Sequence, residues 1–303
     1  MALSLILVKQ VFIMFILSGI GYLMFRTGKI TLEGNKCLGN ILIYLSLPCV
    51  ILNSFLTERT TEKLIDLGLS AVITIIIVLI SGLVSHLFFK KDAIANFSST
   101  FSNPGFFGVP IITASIGASA VFYMTPFIAA LNMGQWTYGV SLLTGKSDGL
   151  TPKKILTAPF MVGIVAGLFF FLTGIPVPEL MSKTVSFLAG LNTPLAMFTI
   201  GIYLAQADLG KMFAKKQLYL VTLARLVIIP ALALVVIALV PFGNTEMKLA
   251  LLIAIACPVG SNVAVYAQLH NSNYAYAVET VVISTLFSII TIPVLAGIAS
   301  MFF

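Results

Sequence analysis

Two short stretches carry residue types that can hold a ligand inside an otherwise apolar chain. The first runs Ser98-Ser99-Thr100-Phe101-Ser102-Asn103-Pro104-Gly105 and continues to Gly108-Val109-Pro110. The second runs Cys257-Pro258-Val259-Gly260-Ser261-Asn262. A proline inside a helix removes a backbone hydrogen bond and clashes with the preceding turn. Glycine and polar neighbours then let the chain unwind. In hydrocarbon, backbone groups freed in this way are tolerated only where they line a cavity or are buried in protein. The half-helix that restarts after such a break presents amides with partial positive charge. Asn103, Ser261 and Asn262 add neutral donors and acceptors beside them. This chemistry suits a carboxylate and offers no cage of acidic ligands for a cation. Asn103, Pro110, Pro258, Gly260, Ser261 and Asn262 are therefore the candidate substrate-binding residues. The bland alternative, an ordinary proline kink, accounts less well for two breaks that each adjoin an asparagine.

The elements that must position these stretches follow from composition. Of 303 residues, 59% are apolar and only 9% charged, against about 25% charged in a soluble domain. So few charges cannot cover a water-facing surface, so the surrounding solvent is mostly lipid. Apolar runs separated by short polar breaks predict ten membrane spans: 5–25, 37–56, 66–89, 95–116, 119–142, 154–173, 183–205, 216–240, 247–269 and 274–301. At about 20 residues per span these account for nearly the whole length. The two breaks fall in the fourth and ninth spans. The first span lacks an early basic region and a small-x-small cleavage site, which predicts a retained helix and not a signal peptide.

Basic residues give the orientation. The odd-numbered loops hold eleven lysines and arginines (Arg26, Lys29, Lys36, Lys90, Lys91, Lys146, Lys153, Lys154, Lys211, Lys215, Lys216) and the other side holds five (Lys9, Arg59, Lys63, Lys183, Lys248). Positive residues collect in cytoplasmic loops, so the odd loops are expected inside and both termini outside. The net charge of +7 then faces anionic lipid and gives no reason to invoke nucleic acid.

The chain also repeats itself. A shift of 146 residues superimposes Gly21 on Gly167, Phe25 on Phe171, Thr27-Gly28 on Thr173-Gly174, Glu33 on Glu179, Leu42 on Leu188, Leu45 on Leu191 and Pro48 on Pro194. The Thr-Gly, Glu and Pro matches are the informative ones in so apolar a chain. Five spans separate the copies, and an odd number turns the second copy upside down. The expected fold is therefore all-α, with ten transmembrane helices in two inverted five-helix repeats. Residues 1–142 form the first repeat, 143–153 a short cytoplasmic linker and 154–303 the second repeat. Inverted repeats with paired broken helices are a signature of secondary transporters.

Lone polar residues complete the reading. Arg225 and Glu279 lie inside predicted spans, where charges are costly and usually paired, so they are expected to form an intramembrane charge pair. His86 is expected at the interface. Gly163-x-x-x-Gly167 permits close helix packing, within the chain or in a homodimer. Cys37, Cys49 and Cys257 match no zinc or redox spacing, no metal site is expected, and no cofactor is implied. The chain has no HExxH, no GxSxG and no acidic pair on facing helices, so an intramembrane enzyme is not expected.

Taken together these segments resemble the auxin efflux carrier family, which groups plant PIN-type carriers with bacterial malate and malonate permeases. The resemblance runs nearly end to end. It rests on Asn103 followed by Gly108-Val109-Pro110, on Asn192-Thr193-Pro194 through Gly201, on Arg225 with Pro230, and on Cys257 through Asn262 followed by Tyr266-Ala267. It implies a fold like the bile-acid symporters and sodium/proton antiporters. Helices 1, 2, 6 and 7 would form a scaffold and helices 3–5 and 8–10 a transport domain, with helices 4 and 9 crossing at their prolines. The substrate would sit at the crossing and move with the transport domain like an elevator. The family also has a glutamine near the substrate, which points to Gln135. The short 143–153 segment, where plant carriers have a long loop, favours the bacterial branch and a bacterial inner membrane. The expected cargo is a small organic anion of the malate or malonate type. Another organic acid, such as an auxin-like aromatic carboxylate, and a sodium-coupled symporter are the alternatives. Membrane lipid is the expected surrounding partner, and a homodimer through the scaffold helices is left open.

Overall fold

A computed structural model of the protein describes residues 2–145, 158–299 and 301–302. Apart from one isolated antiparallel bridge, these residues form helices and connecting turns without strands. The helices are α1 Ala2–Arg26, α2 Leu32–Phe55, α3 Thr61–Phe89, α4 Ala93–Thr100, α5 Pro104–Ser115, α6 over residues 118–144, α7 Pro159–Thr173, α8 Glu179–Gln206, α9 Leu209–Phe213, α10 Lys216–Ala238, α11 Thr245–Ala256, α12 Asn262–Leu269 and α13 Tyr274–Ala299. Helix occurs in each of the ten apolar stretches among the described residues, and is interrupted at 101–103 in the fourth and at 257–261 in the ninth. The start of the sixth stretch, the 146–153 part of the expected linker, and Lys146, Lys153 and Lys154 lie outside the described residues.

Among the described residues, six helical segments are long and apolar enough to cross a membrane: Leu5–Arg26, Leu32–Phe55, Thr61–Phe89, Glu179–Gln206, Lys216–Ala238 and Tyr274–Ala299. Large apolar side chains such as Leu79, Leu87, Leu180 and Phe187 are exposed on their outer faces. An apolar exterior of this kind needs lipid as its solvent. The protein is a multi-pass membrane protein.

Several helices start earlier than the apolar pattern indicates, because polar first turns are held by side-chain caps. The Thr31 hydroxyl accepts from the Gly34 amide at 3.1 Å, Thr60 accepts from Lys63 at 3.1 Å and Asn244 accepts from Met247 at 2.7 Å. Each satisfies an amide that the first helical turn would leave free. The repeated Thr-Gly pair is a helix stop. Gly28 and Gly174 take φ of 72° and 66°, a left-handed conformation that glycine adopts without steric cost. Thr27 and Thr173 each donate to the carbonyl four residues back, Leu23 and Phe169, at 2.8 and 2.7 Å.

The helices that carry residues 21–48 pack crosswise on those that carry residues 167–194. α1 lies on α8, where a Cβ on Gly21 would fall 2.5 Å from the Phe198 carbonyl oxygen and one on Gly201 would overlap the Ser18 carbonyl. α7 lies on α2, where a Cβ on Gly163 would fall 2.6 Å from the Pro48 oxygen and one on Gly167 would meet the Phe55 ring at 2.5 Å. The small residues of α7 are thus used inside the chain. The remaining helices are tied by polar contacts. Asp66 of α3 accepts from Asn244 Nδ2 at 2.7 Å, and the same nitrogen lies 2.9 Å from Tyr123 Oη of α6. Ser98 of α4 and Thr280 of α13 share a 2.9 Å hydrogen bond.

Candidate functional site

Both predicted breaks are present, and they meet. α4 ends at Thr100 and α11 at Ala256, and each is followed by a short extended segment before helix resumes. The two segments pair antiparallel. The Asn103 amide donates to the Pro258 carbonyl at 2.9 Å, and the Gly260 amide donates to the Phe101 carbonyl at 2.9 Å. These bonds flank the isolated bridge between Ser102 and Val259. The Val259 amide donates to Ser284 Oγ at 3.0 Å, and Ser102 Oγ donates to the Ala254 carbonyl at 2.9 Å. Protein partners thus satisfy the amides of Asn103, Val259 and Gly260 and the carbonyls of Phe101, Ala254 and Pro258, as hydrocarbon surroundings favour. Gly260 makes the close approach possible, since a Cβ there would fall 2.8 Å from the Ser102 oxygen.

Beyond the crossing, α5 begins behind Asn103 and α12 behind Ser261. The Asn103 Oδ1 accepts from the Phe106 amide at 3.3 Å, while its Nδ2 is buried without a hydrogen-bond partner. Asn262 Nδ2 donates to Gln135 Oε1 at 2.8 Å. Gln135 opens a π-helical turn, Gln135–Gly139, within α6, a local widening frequent at functional sites. Asn103, Gln135, Gly260, Ser261 and Asn262 all line one cavity of about 800 Å³, bounded also by α2 and the start of α7. Pro110 and Pro258 do not line it. Both are buried; Pro258 acts through its carbonyl, and Pro110 sits in the first turn of the Val109–Ser115 helix segment.

The cavity has an aromatic wall that the sequence reading did not single out. His270 stacks on Tyr266 with ring centroids 6.5 Å apart and planes 10° from parallel, and Trp136 meets Tyr266 edge-on at 6.0 Å. The signal was available: Asn262, Tyr266 and His270 follow one another at four-residue steps, which places them on one helix face. Asn192 belongs to the Asn192-Thr193-Pro194 motif of α8. Its Nδ2 donates to the Gly105 carbonyl at 3.0 Å and so links α8 to the restart of α5. The described lining residues include no lysine or arginine.

The expected Arg225–Glu279 pair does not form. Arg225 is fully buried, and its Nη1 donates to the Ser99 and Thr100 carbonyls at 3.0 Å each, while Nη2 donates to the Ile255 carbonyl. Glu279 binds Lys215, whose Nζ lies 2.7 and 2.6 Å from its two carboxylate oxygens. The reason is electrostatic. The last carbonyls of α4 and α11 have no helical partner and carry partial negative charge, so they hold the two terminal guanidinium nitrogens, while Nε is buried without a hydrogen-bond partner. The carboxylate takes the nearer ammonium at the start of α10. Asp92 lies at the same end, capping α4 through the Ala95 amide at 2.9 Å and accepting from Tyr276 Oη at 3.1 Å.

The family profile described as "Membrane transport protein" matches residues 6–153 and 146–296. An uncharacterized transporter of Methanocaldococcus jannaschii is 23% identical over 297 residues, covering 93% of this chain and 95% of its own. A protein named "Putative malonate transporter" from Rhizobium meliloti is 24% identical over 292 residues, covering 90% of this chain and 89% of its own.

Proposed function

Since the chain belongs to the membrane transport protein family, the group of PIN-like auxin efflux carriers and malonate permeases, we propose that it is a secondary transporter for a small organic anion. The observation that carries this reading is the crossing itself. Two half-helices restart at Asn103 and Ser261 beside one cavity of about 800 Å³, with Asn262 and Gln135 hydrogen-bonded at its wall. Helix N-termini and neutral amide side chains favour a carboxylate. The buried, unpartnered Asn103 Nδ2 offers a donor for such a group.

The cargo in this reading is of the malate or malonate type, in keeping with the name of the Rhizobium relative. A second reading is supported by the wall of Trp136, Tyr266 and His270: a carboxylate carried on a planar ring, which aromatic side chains would cover. Both readings use the same polar end of the site.

The mechanism in this reading is an elevator within two inverted repeats, with 1–142 and 154–303 as the halves. The crosswise packing of α1 on α8 and α7 on α2 supports a scaffold made of those four helices. Polar contacts among α3, α4, α6, α10, α11 and α13 support a second body that moves as one. The cavity lies against α2 and α7 on one side and the broken helices on the other, where sliding of one body past the other would change its access. Reconstitution into liposomes tests the function. Radiolabelled malonate, malate and indole-type acids should show saturable uptake for at least one, with competition separating the two cargo readings. Absence of saturable flux for every organic acid would sink it.

A further inference from the structure

The buried arginine at the crossing has a use that a staple between helices does not exhaust. In transporters with broken helices, the half-helix C-terminal ends and unwound carbonyls are where a coupling cation such as sodium is coordinated. Here those ends belong to α4 and α11, and their carbonyls at Ser99, Thr100 and Ile255 all face Arg225. Each helix end carries about half a negative elementary charge. Two ends therefore sum to roughly one negative charge, which one guanidinium balances. A guanidinium keeps its charge in proteins, and Arg225 has no exposed surface through which water could replace it. Among the described ion pairs none involves Arg225, so the helix ends are its counter-charge.

We propose that Arg225 is a resident cation at the crossing, occupying the place of a coupling ion, so that the protein binds and carries its anion without sodium. This rests on the reading of the crossing as the transport site. It deepens that reading by naming what compensates the site's charge. A sodium ion at the same carbonyls would stand against a fixed positive charge a few ångströms away in a site of low dielectric, where like charges repel strongly. The resident charge travels with the carbonyls it balances, so the crossing stays compensated whether or not cargo is present. The half-helix N-termini beyond it remain free to act on an anion.

The test uses the purified full chain and sodium itself as the probe, and needs no knowledge of the cargo. Binding of radioactive sodium and thermal stability are measured in sodium chloride against choline chloride at equal ionic strength. Wild-type protein is expected to show no sodium binding above the choline control and no sodium-specific stabilisation. Arg225→Ala leaves three buried carbonyls facing an empty place. It is expected to lose stability and to recover part of the loss with sodium or guanidinium but not with choline. Arg225→Lys keeps the charge and loses the fork, so it should be less stable than wild type yet remain indifferent to sodium. Specific sodium binding by the wild type overturns the proposal. So does an Arg225→Ala variant that folds and ignores sodium and guanidinium alike, which would leave Arg225 a staple only. If Arg225→Ala does not fold, sodium-dependent stabilisation of Arg225→Lys overturns it. None of these outcomes decides whether the cargo is an organic anion, which the liposome assay reads separately.

Discussion

The Lys215 ammonium lies between the two carboxylate oxygens of Glu279, 2.7 and 2.6 Å away, and ties the start of α10 to α13. Glu279 is nearly buried while Lys215 is about half exposed, with 46% of its side-chain surface accessible. The pair is therefore partly screened by solvent and is expected to contribute about 1 kcal/mol, the upper end for exposed pairs. A double-mutant cycle with Lys215→Ala and Glu279→Gln, read as thermal stability in detergent, should show that coupling. The same cycle on Arg225→Gln and Glu279→Gln should be close to additive, because the two side chains have separate partners. Strong coupling between Arg225 and Glu279 would contradict the hydrogen bonds described above.

Asn103→Ala and Asn262→Ala are each expected to weaken cargo binding by about 1–3 kcal/mol, the cost of leaving a buried polar group unmet. Gln135→Ala should do the same. Combined with Asn262→Ala it should add little, since the two amides are joined at 2.8 Å and removing either frees the other. Titration of the reconstituted protein with the cargo found in the flux screen checks all three. Unaltered affinity in both asparagine variants would move the cargo away from the crossing.

Gly201→Ala is expected to cost about 1–3 kcal/mol or more, the range for overpacking a close contact. Its new methyl would overlap the Ser18 carbonyl oxygen, a backbone atom that cannot rotate away. Gly21→Ala should behave alike against Phe198. Gly19→Ala, where a Cβ would have open space around it, is the control and should melt within experimental error of the wild type.

From the loop charges, both termini should face outside. A cysteine placed at residue 2 should react with a membrane-impermeant thiol reagent in spheroplasts of the expressing cells. Reaction only after lysis would reverse the orientation.

The sequence made the helices and breaks legible because lipid imposes one rule on every span: apolar outside, backbone satisfied inside. Proline and glycine at 103–110 and 257–262 violated that rule, and the structure joins those two places at Asn103–Pro258 and Phe101–Gly260. The partner of Arg225 was not legible in the same way. Pattern reading pairs a buried charge with another side chain, whereas the partners here are main-chain carbonyls, which every residue type carries. The helix starts at Thr31 and Thr60 were hidden too, since a capped polar turn looks like loop to a hydropathy count. The aromatic wall needed the four-residue spacing from Asn262 to His270 to be followed past the motif that drew attention first.

The acceptors of Arg225 also set an order of events during synthesis. Ser99 and Thr100 precede it in the chain by 126 and 125 residues, whereas Ile255 follows it by 30. When Arg225 is added to the chain, α4 has already been made and α11 has not, so two of its three acceptors exist before it and one after. The charge thus enters the membrane with part of its shell available, on a segment otherwise apolar enough to insert. α11 then arrives at a cation already in place, and the last third of the chain completes a contact that the first third began.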